Sequence, residues 1–213
     1  MTRHGRNPPR QRRGRSKRIA IRKTLATVIG MGGVGRQIAM HLTALGVGRL
    51  QLVDAGKVSI RTHAREGYAL EDVGRPRVFA AAQRCHPVNP QLDLQAVPTR
   101  SLRGLDLGDA VFLCPGGNAA TNAVAKSIGD TIVFAARCMT VWSTICVDIA
   151  WDRRSLERWP NAVQTAHTAT ALSVAAESMA AGLAVAEFAR FVGGRRPRSL
   201  RLNLFTLKLH VAG

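Results

Sequence analysis

At 213 residues the chain is long enough for one sizeable α/β domain with a real core, and its 46% apolar content excludes disorder of the whole. The net charge of +18 is unevenly placed, since residues 1–23 hold ten Lys and Arg and no acid. A basic tail over residues 1–23 and a mildly basic domain over 24–213 are therefore expected.

Pro8-Pro9, with glycines at 5 and 14, predicts that the tail is disordered. Its charge suits phosphates or an acidic partner. It carries no aromatics for base stacking and no DNA-binding motif, so nucleic acid is not the expected partner. Ile19-Ala20-Ile21 is too short for the apolar region of a secretory signal, and Pro and Gly interrupt any amphipathic transit helix.

Leu25–Ile29 is a β-branched run that reads as a buried parallel strand ending at Gly30. From Val34, the apolar positions Ile38, Leu42 and Leu45 recur at helical spacing, until Gly46-Val47-Gly48 ends the helix. Leu50–Val53 is a second strand, closed by Asp54. Residues 55–72 are polar, irregular and too long for an ordinary connection, which marks a functional loop. A helix is expected over 75–85, stopped before Pro87 and Pro90, then a third strand over Leu92–Val97. Ala110–Leu113 is the fourth strand, followed by Cys114-Pro115-Gly116-Gly117 and a helix over 118–128. Thr131–Ala135 gives a fifth strand, 139–150 a longer sixth, and Arg153–Trp159 a short helix. The Ala-rich stretch 169–192 reads as a buried helix of a protein without a membrane span, because Glu177, Glu187 and Arg190 interrupt it. Leu200–His210 supplies one or two terminal strands. Alternating strands and helices predict a Rossmann-like, doubly wound, mainly parallel sheet with a C-terminal helix and strands.

The order strand, Gly30-Met31-Gly32-Gly33-Val34-Gly35, helix, strand, Asp54 is a nucleotide-binding device. Gly30 permits the tight turn, Gly32 lets backbone approach a phosphate, and Gly35 lets the helix pack on the sheet. The helix N-terminus offers N–H groups to an anion, and Asp54 stands where a ribose hydroxyl would be bound. By itself this device serves NAD as well as ATP. Cys85, Cys114, Cys138 and Cys146 form no C-x-x-C pair, so no structural zinc is expected, and reduced thiols in a cytoplasm are the default. His63 alone among the histidines lies in the 55–72 loop, with a phosphate-proximal or surface role; His86 reads as a helix end.

The run Val28–Gly35, then Leu45–Gly48, Leu52-Val53-Asp54, Val58, Arg65, Glu71–Arg77 and Asn89-Pro90, resembles the ThiF/MoeB family, which includes the adenylating domains of ubiquitin-activating enzymes. The likeness is fainter in the long helix with Glu187. It implies a homodimeric or pseudo-dimeric fold that binds ATP with magnesium and adenylates the C-terminal glycine of a ubiquitin-like or sulfur-carrier protein. On this resemblance Gly30, Gly32, Gly33, Gly35 and Asp54 hold the nucleotide, Asp54 as the ribose-binding acid. Arg65 and Arg77 meet the phosphates and are the expected catalytic residues, offsetting charge where a carboxylate attacks the α-phosphate.

The sequence also departs from the family. Arg77 replaces a lysine, a planar fork for a point charge, and Arg61-Thr62-His63-Ala64 replaces Ser-Asn-Leu ahead of the arginine. Gly116 stands where the family has an Asp that serves magnesium, so no side chain is assigned as a metal ligand; Asp148 and Asp152 are the substitutes considered, though a solvated surface role is expected of both. The interval 150–168, where family members place a thioester cysteine, has none, and Cys138 and Cys146 read as small buried hydrophobes. The leading expectation is an adenylyltransferase without a thioester step. The alternatives are a degenerate scaffold that docks a partner or completes a heterodimer, and an NAD-dependent oxidoreductase. The last lacks any Tyr-x-x-x-Lys or His/Asp relay, Tyr68 being the only tyrosine.

Overall fold

A computed structural model describes residues 21–114, 134–141, 143–157, 159 and 172–212. Gly116, the expected helix over 118–128, the start of the expected fifth strand, most of the interval 150–168 and the basic tail up to residue 20 lie outside the described residues.

Strands β1 (Leu25–Ile29), β2 (Arg49–Val53), β3 (Asp93–Val97), β4 (Ala110–Leu113), β5 (Phe134–Val141), β6 (Thr144–Ala150), β7 (Ser199–Asn203) and β8 (Leu209–Ala212) form one sheet. Its order is β3-β2-β1-β4-β5-β6-β7-β8. The pairs from β3 to β5 are parallel, and β5, β6, β7 and β8 follow as antiparallel neighbours. Chain order reverses direction across the sheet between β1 and β4, and the carboxyl ends of that pair open the crevice where sheets of this kind bind ligands.

One sheet face is covered by α1 (Gly33–Leu45), α3 (Arg77–Cys85) and α5 (Leu172–Val192). The helical period puts Ile38, Ala39 and Leu42 of α1 inward, and Gly46 ends the helix in a left-handed turn. Ala176, Ala180 and Ala184 of α5 are buried, and such small side chains let α1 lie close along it. Phe112, Phe134 and Phe188 meet at centroid distances of 5.3–5.7 Å and fill the space between β4, β5 and α5. On the other face Ile29, Val53, Val111, Leu113 and Ala135 are covered by Leu102 and Leu105, and by Leu156 and Trp159 at and after the short helix α4 (Arg153–Glu157).

The fold takes in Ile21–Lys23, which the charge pattern assigns to the tail: these residues are helical and Ile21 is buried in the core. A further difference concerns the expected sixth strand over 139–150, which is instead the two arms of a hairpin, β5 and β6. No Gly or Pro separates Val141 from Thr144 to announce the turn. Arg137 disguises β5 as an interrupted run, yet it is 1% exposed and bonded to Asp148 at 2.7 Å across the hairpin. The loop after Asp54 is not irregular throughout. It holds a short helix α2 (His63–Glu66) and a 3-10 turn over Leu70–Asp72, and it closes on itself where Val58 donates to the Arg75 carbonyl and Gly74 to Val58. No helix among the described residues is long and apolar enough to cross a membrane.

Candidate functional site

The glycine-rich turn leaves β1 at Gly30, whose φ of +90° and position against the Cys114 carbonyl exclude a side chain. Gly30 thereby ties the turn to the end of β4, across the crevice. Gly32 caps α1 with open space beside it, and Gly35 rests on the Gly30 carbonyl. No hydrogen bond within the described residues occupies the N–H groups of Gly32, Gly33 or Val34. Those donors point out of a helix N-terminus and are free to meet an anion.

Asp54 pins this turn. One carboxylate oxygen accepts from Met31 N at 2.6 Å and the other from Gly56 N. Each oxygen keeps a lone pair, so a ribose hydroxyl can still be bound at this partly exposed side chain. Gly56 in turn accepts from Arg77 N at 3.0 Å, which draws the start of α3 to the same place.

Arg77 is less free than its family role requires. Its Nη2 lies 2.9 Å from both carboxylate oxygens of Glu66, which is buried. The Arg77 Nε and Glu66 Oε2 are both buried without a hydrogen bond, so the two groups meet end to side and not as a parallel fork. Arg36 donates through Nε to the Glu66 carbonyl at 2.6 Å and stands over the Tyr68 ring. Tyr68 donates to the Met31 carbonyl at 2.7 Å; burial pushes its hydroxyl well above the usual tyrosine range, and Arg77 only partly offsets this. Arg65 is exposed and makes no hydrogen bond or ion pair within the described residues.

A carboxylate that the motif reading missed completes this side. Glu177, from the second turn of α5, lies against Gly33 so closely that any Cβ there would overlap it. Burial raises its pKa; Arg65 lowers it, Glu66 raises it and Arg36 lowers it, so these four groups share one field. Arg36, Glu66 and Tyr68 were missed because each reads as an ordinary helix or loop residue. Glu177 sits more than a hundred residues beyond the motif, and only its lone charge in an Ala-rich helix could have signalled it.

The structure thus joins Gly30, Gly32, Gly33, Gly35, Asp54 and Arg77, and Arg65 is linked to them through its electrostatic effect on Glu177. It does not bring Asp148 or Asp152 to this place as free acids. Asp148 is buried between Arg137 and Arg201, contrary to a solvated role, and Asp152 accepts from Ser155 N at 2.7 Å to cap α4. Cys138 and Cys146 are buried, as expected of small hydrophobes, and Cys85 is buried too. The Cys114 thiol is pushed well up by its hydrogen bond with Cys138 and by burial, the opposite of an activated nucleophile. His63 binds its own loop through the Ile60 carbonyl at 2.9 Å. Glu187 clamps Arg190 and Arg198 at the end of α5.

Residues 8–113 match the sequence profile of the ThiF family. The sulfur carrier protein adenylyltransferase of Thermus thermophilus is 33% identical over 81 residues, 38% of this chain and 30% of that protein. The sulfur carrier protein ThiS adenylyltransferase of Escherichia coli is 38% identical over 85 residues, 39% of this chain and 34% of that protein. The chain spans about a third of the length of these curated relatives. A solved structure of E. coli MccB with ATP superposes with a TM-score of 0.75 over 93% of this chain and 66% of that one, at 13% identity, a likeness of fold.

Proposed function

This chain belongs to the ThiF family, and from that premise we propose that it binds ATP at the glycine-rich turn and adenylates the C-terminal carboxylate of a ubiquitin-like or sulfur-carrier protein. The observation that carries the reading is the open turn itself: three N–H groups at a helix N-terminus that have no partner among the described residues, pinned by Asp54 at the sheet crevice, with Arg65 acting on Glu177 beside it. In this reading Asp54 accepts the ribose hydroxyls while Gly32, Gly33 and Val34 donate to phosphate oxygens. The carrier carboxylate attacks the α-phosphorus, a new acyl–phosphate bond forms, and the bond to pyrophosphate breaks. Attack of an anion on an anion needs cations held in place beforehand, and Arg65 and Arg77 are those cations. Magnesium accompanies ATP in the family. Gly116 has no side chain to offer it, and Glu177, a hard oxygen donor, lies beside the turn in the field of Arg65 and Arg36. Action as a homodimer or heterodimer, in the reducing compartment that four free thiols suit, completes the proposal.

The full-length protein, mixed with Mg·ATP and ubiquitin-like or sulfur-carrier proteins encoded beside it, should exchange labelled pyrophosphate into ATP only when its carrier is present. Absence of exchange from a folded sample with every such carrier would falsify the assignment. One observation favours the second reading, a scaffold that docks a partner without turnover: Glu66 already neutralises Arg77. In that case calorimetry finds weak or no ATP binding, and a partner complex forms without nucleotide.

A further inference from the structure

We infer that the open edge of β8 is a docking site for an extended, acidic segment of a partner protein, which joins the sheet as a further strand. Among the described residues β8 pairs with β7 alone and ends the sheet. Asn203 N donates to the Lys208 carbonyl at 3.1 Å, and antiparallel bonding alternates from there. On that alternation His210 and Ala212 bond inward to β7, while the N–H and C=O groups of Leu209 and Val211 face the open edge. Such an edge is a template for another strand.

The side chains add a face to this edge. Ten large apolar side chains are exposed among the described residues, and four of them stand at every second position here: Phe205, Leu207, Leu209 and Val211. Register sets Leu209 opposite Leu202 and Val211 opposite Leu200, both buried, so the face that is core in β7 runs uncovered onto β8. Leu207 holds a φ of +53° in the turn before β8, a left-handed conformation that favours Gly or Asn. It is 68% exposed, and a partner's apolar side chain would offset that strain.

Charge selects the partner. Residues 188–213 carry six Arg and Lys and no acid. Arg190 and Arg198 are held by Glu187 and Arg201 by Asp148, which leaves Arg195, Arg196 and Lys208 exposed without an ion pair among the described residues. Lys208 and His210 alternate with the apolar positions. The matching strand therefore carries apolar residues at every second place and Asp or Glu between them. A second copy of β8 would set Lys208 among like charges, and so would residues 1–23 of the chain itself, with ten Lys and Arg and no acid. The crevice between β1 and β4 begins four strand spacings away, roughly 20 Å, so a segment docked here stays clear of the glycine-rich turn.

The test is fluorescence anisotropy of short labelled peptides with the full chain: four Val-Glu repeats, four Val-Lys repeats, and a block of four valines followed by four glutamates. The Val-Glu repeat should bind, the Val-Lys repeat should not, and the block should bind more weakly than the alternating peptide. Val211→Pro removes an outward N–H and leaves the ladder to β7 intact; it should weaken the Val-Glu repeat roughly tenfold with its unfolding midpoint unchanged. Lys208→Glu should weaken the Val-Glu repeat and admit the Val-Lys one. A folded wild type that ignores the Val-Glu repeat overturns the inference, and so does binding that Val211→Pro leaves unchanged. A sedimenting dimer that Val211→Pro dissolves overturns it in favour of a second copy. Capture by phosphatidylserine vesicles that Phe205→Ser abolishes, with no peptide bound, overturns it in favour of a lipid surface. If Val211→Pro does not fold, Lys208→Glu decides: unchanged preference between the two repeats refutes the idea equally.

Discussion

Arg77 and Glu66 together decide how much positive charge a phosphate meets at this turn. The guanidinium is held 2.9 Å from a buried carboxylate, so the pair presents little net charge while it stays intact. Glu66→Gln keeps an oxygen for Arg77 to bond but removes the opposing charge. It should tighten ATP binding by about 1 kcal/mol, roughly fivefold in Kd, as read by calorimetry in EDTA. Unchanged affinity would mean that Arg77 never meets the nucleotide. Tyr68 makes a separate prediction from the same cluster. Burial raises its pKa above that of the unfolded chain, so its neutral form contributes stability that is present below the unfolded value of about 10 and lost as pH climbs past it. Denaturant midpoints between neutral pH and the alkaline range should therefore fall more steeply for the wild type than for Tyr68→Phe. Equal slopes would place the alkaline sensitivity elsewhere.

Among the elements, the β5–β6 hairpin is where charge and burial are in tension. Arg137 is almost wholly buried and is satisfied by Asp148, while its guanidinium also stands over the Trp159 ring and Asp148 receives Arg201 from β7. Asp148→Ala takes a hydrogen-bonded counter-charge from a buried guanidinium and should cost about 3 kcal/mol in denaturant unfolding. A loss below ~1 kcal/mol would show that groups other than Asp148 carry the Arg137 charge. The same pair explains what the sequence hid. Strands β1, β2 and β4 and helix α1 were legible because their apolar period is clean and a glycine or an acid closes them. In β5 a charged residue sits inside a buried strand, and no turn residue marks the hairpin, so periodicity alone fused parts of two strands into one. The phosphate side divides in the same way. Gly30–Gly35, Asp54, Arg65 and Arg77 lie within about fifty residues and follow a spacing with a physical reason. Glu66, Arg36, Tyr68 and Glu177 act through contacts that only the folded chain creates.

At the scale of the molecule, sheet order carries a consequence for how the chain folds. Every strand lies beside its neighbour in sequence except at one junction, where β1 meets β4. There Val28 pairs with Phe112, Ile29 accepts from Cys114 N at 2.8 Å, and Leu25 N donates to Asp109 at 3.0 Å. Both groups of strands can form from near neighbours, so the entropy of closing a long loop is concentrated at this seam. Phe112→Leu, on the seam, should slow refolding, whereas Leu202→Ala in the terminal hairpin should mainly speed unfolding; stopped-flow chevrons read both limbs. The reverse pattern would put the rate-limiting step in the C-terminal strands. The crevice that holds Gly30 against the end of β4 thus doubles as the joint where two independently assembled halves latch. A nucleotide seated there should behave as a clasp, lengthening the lifetime of the native state by slowing the opening of that joint.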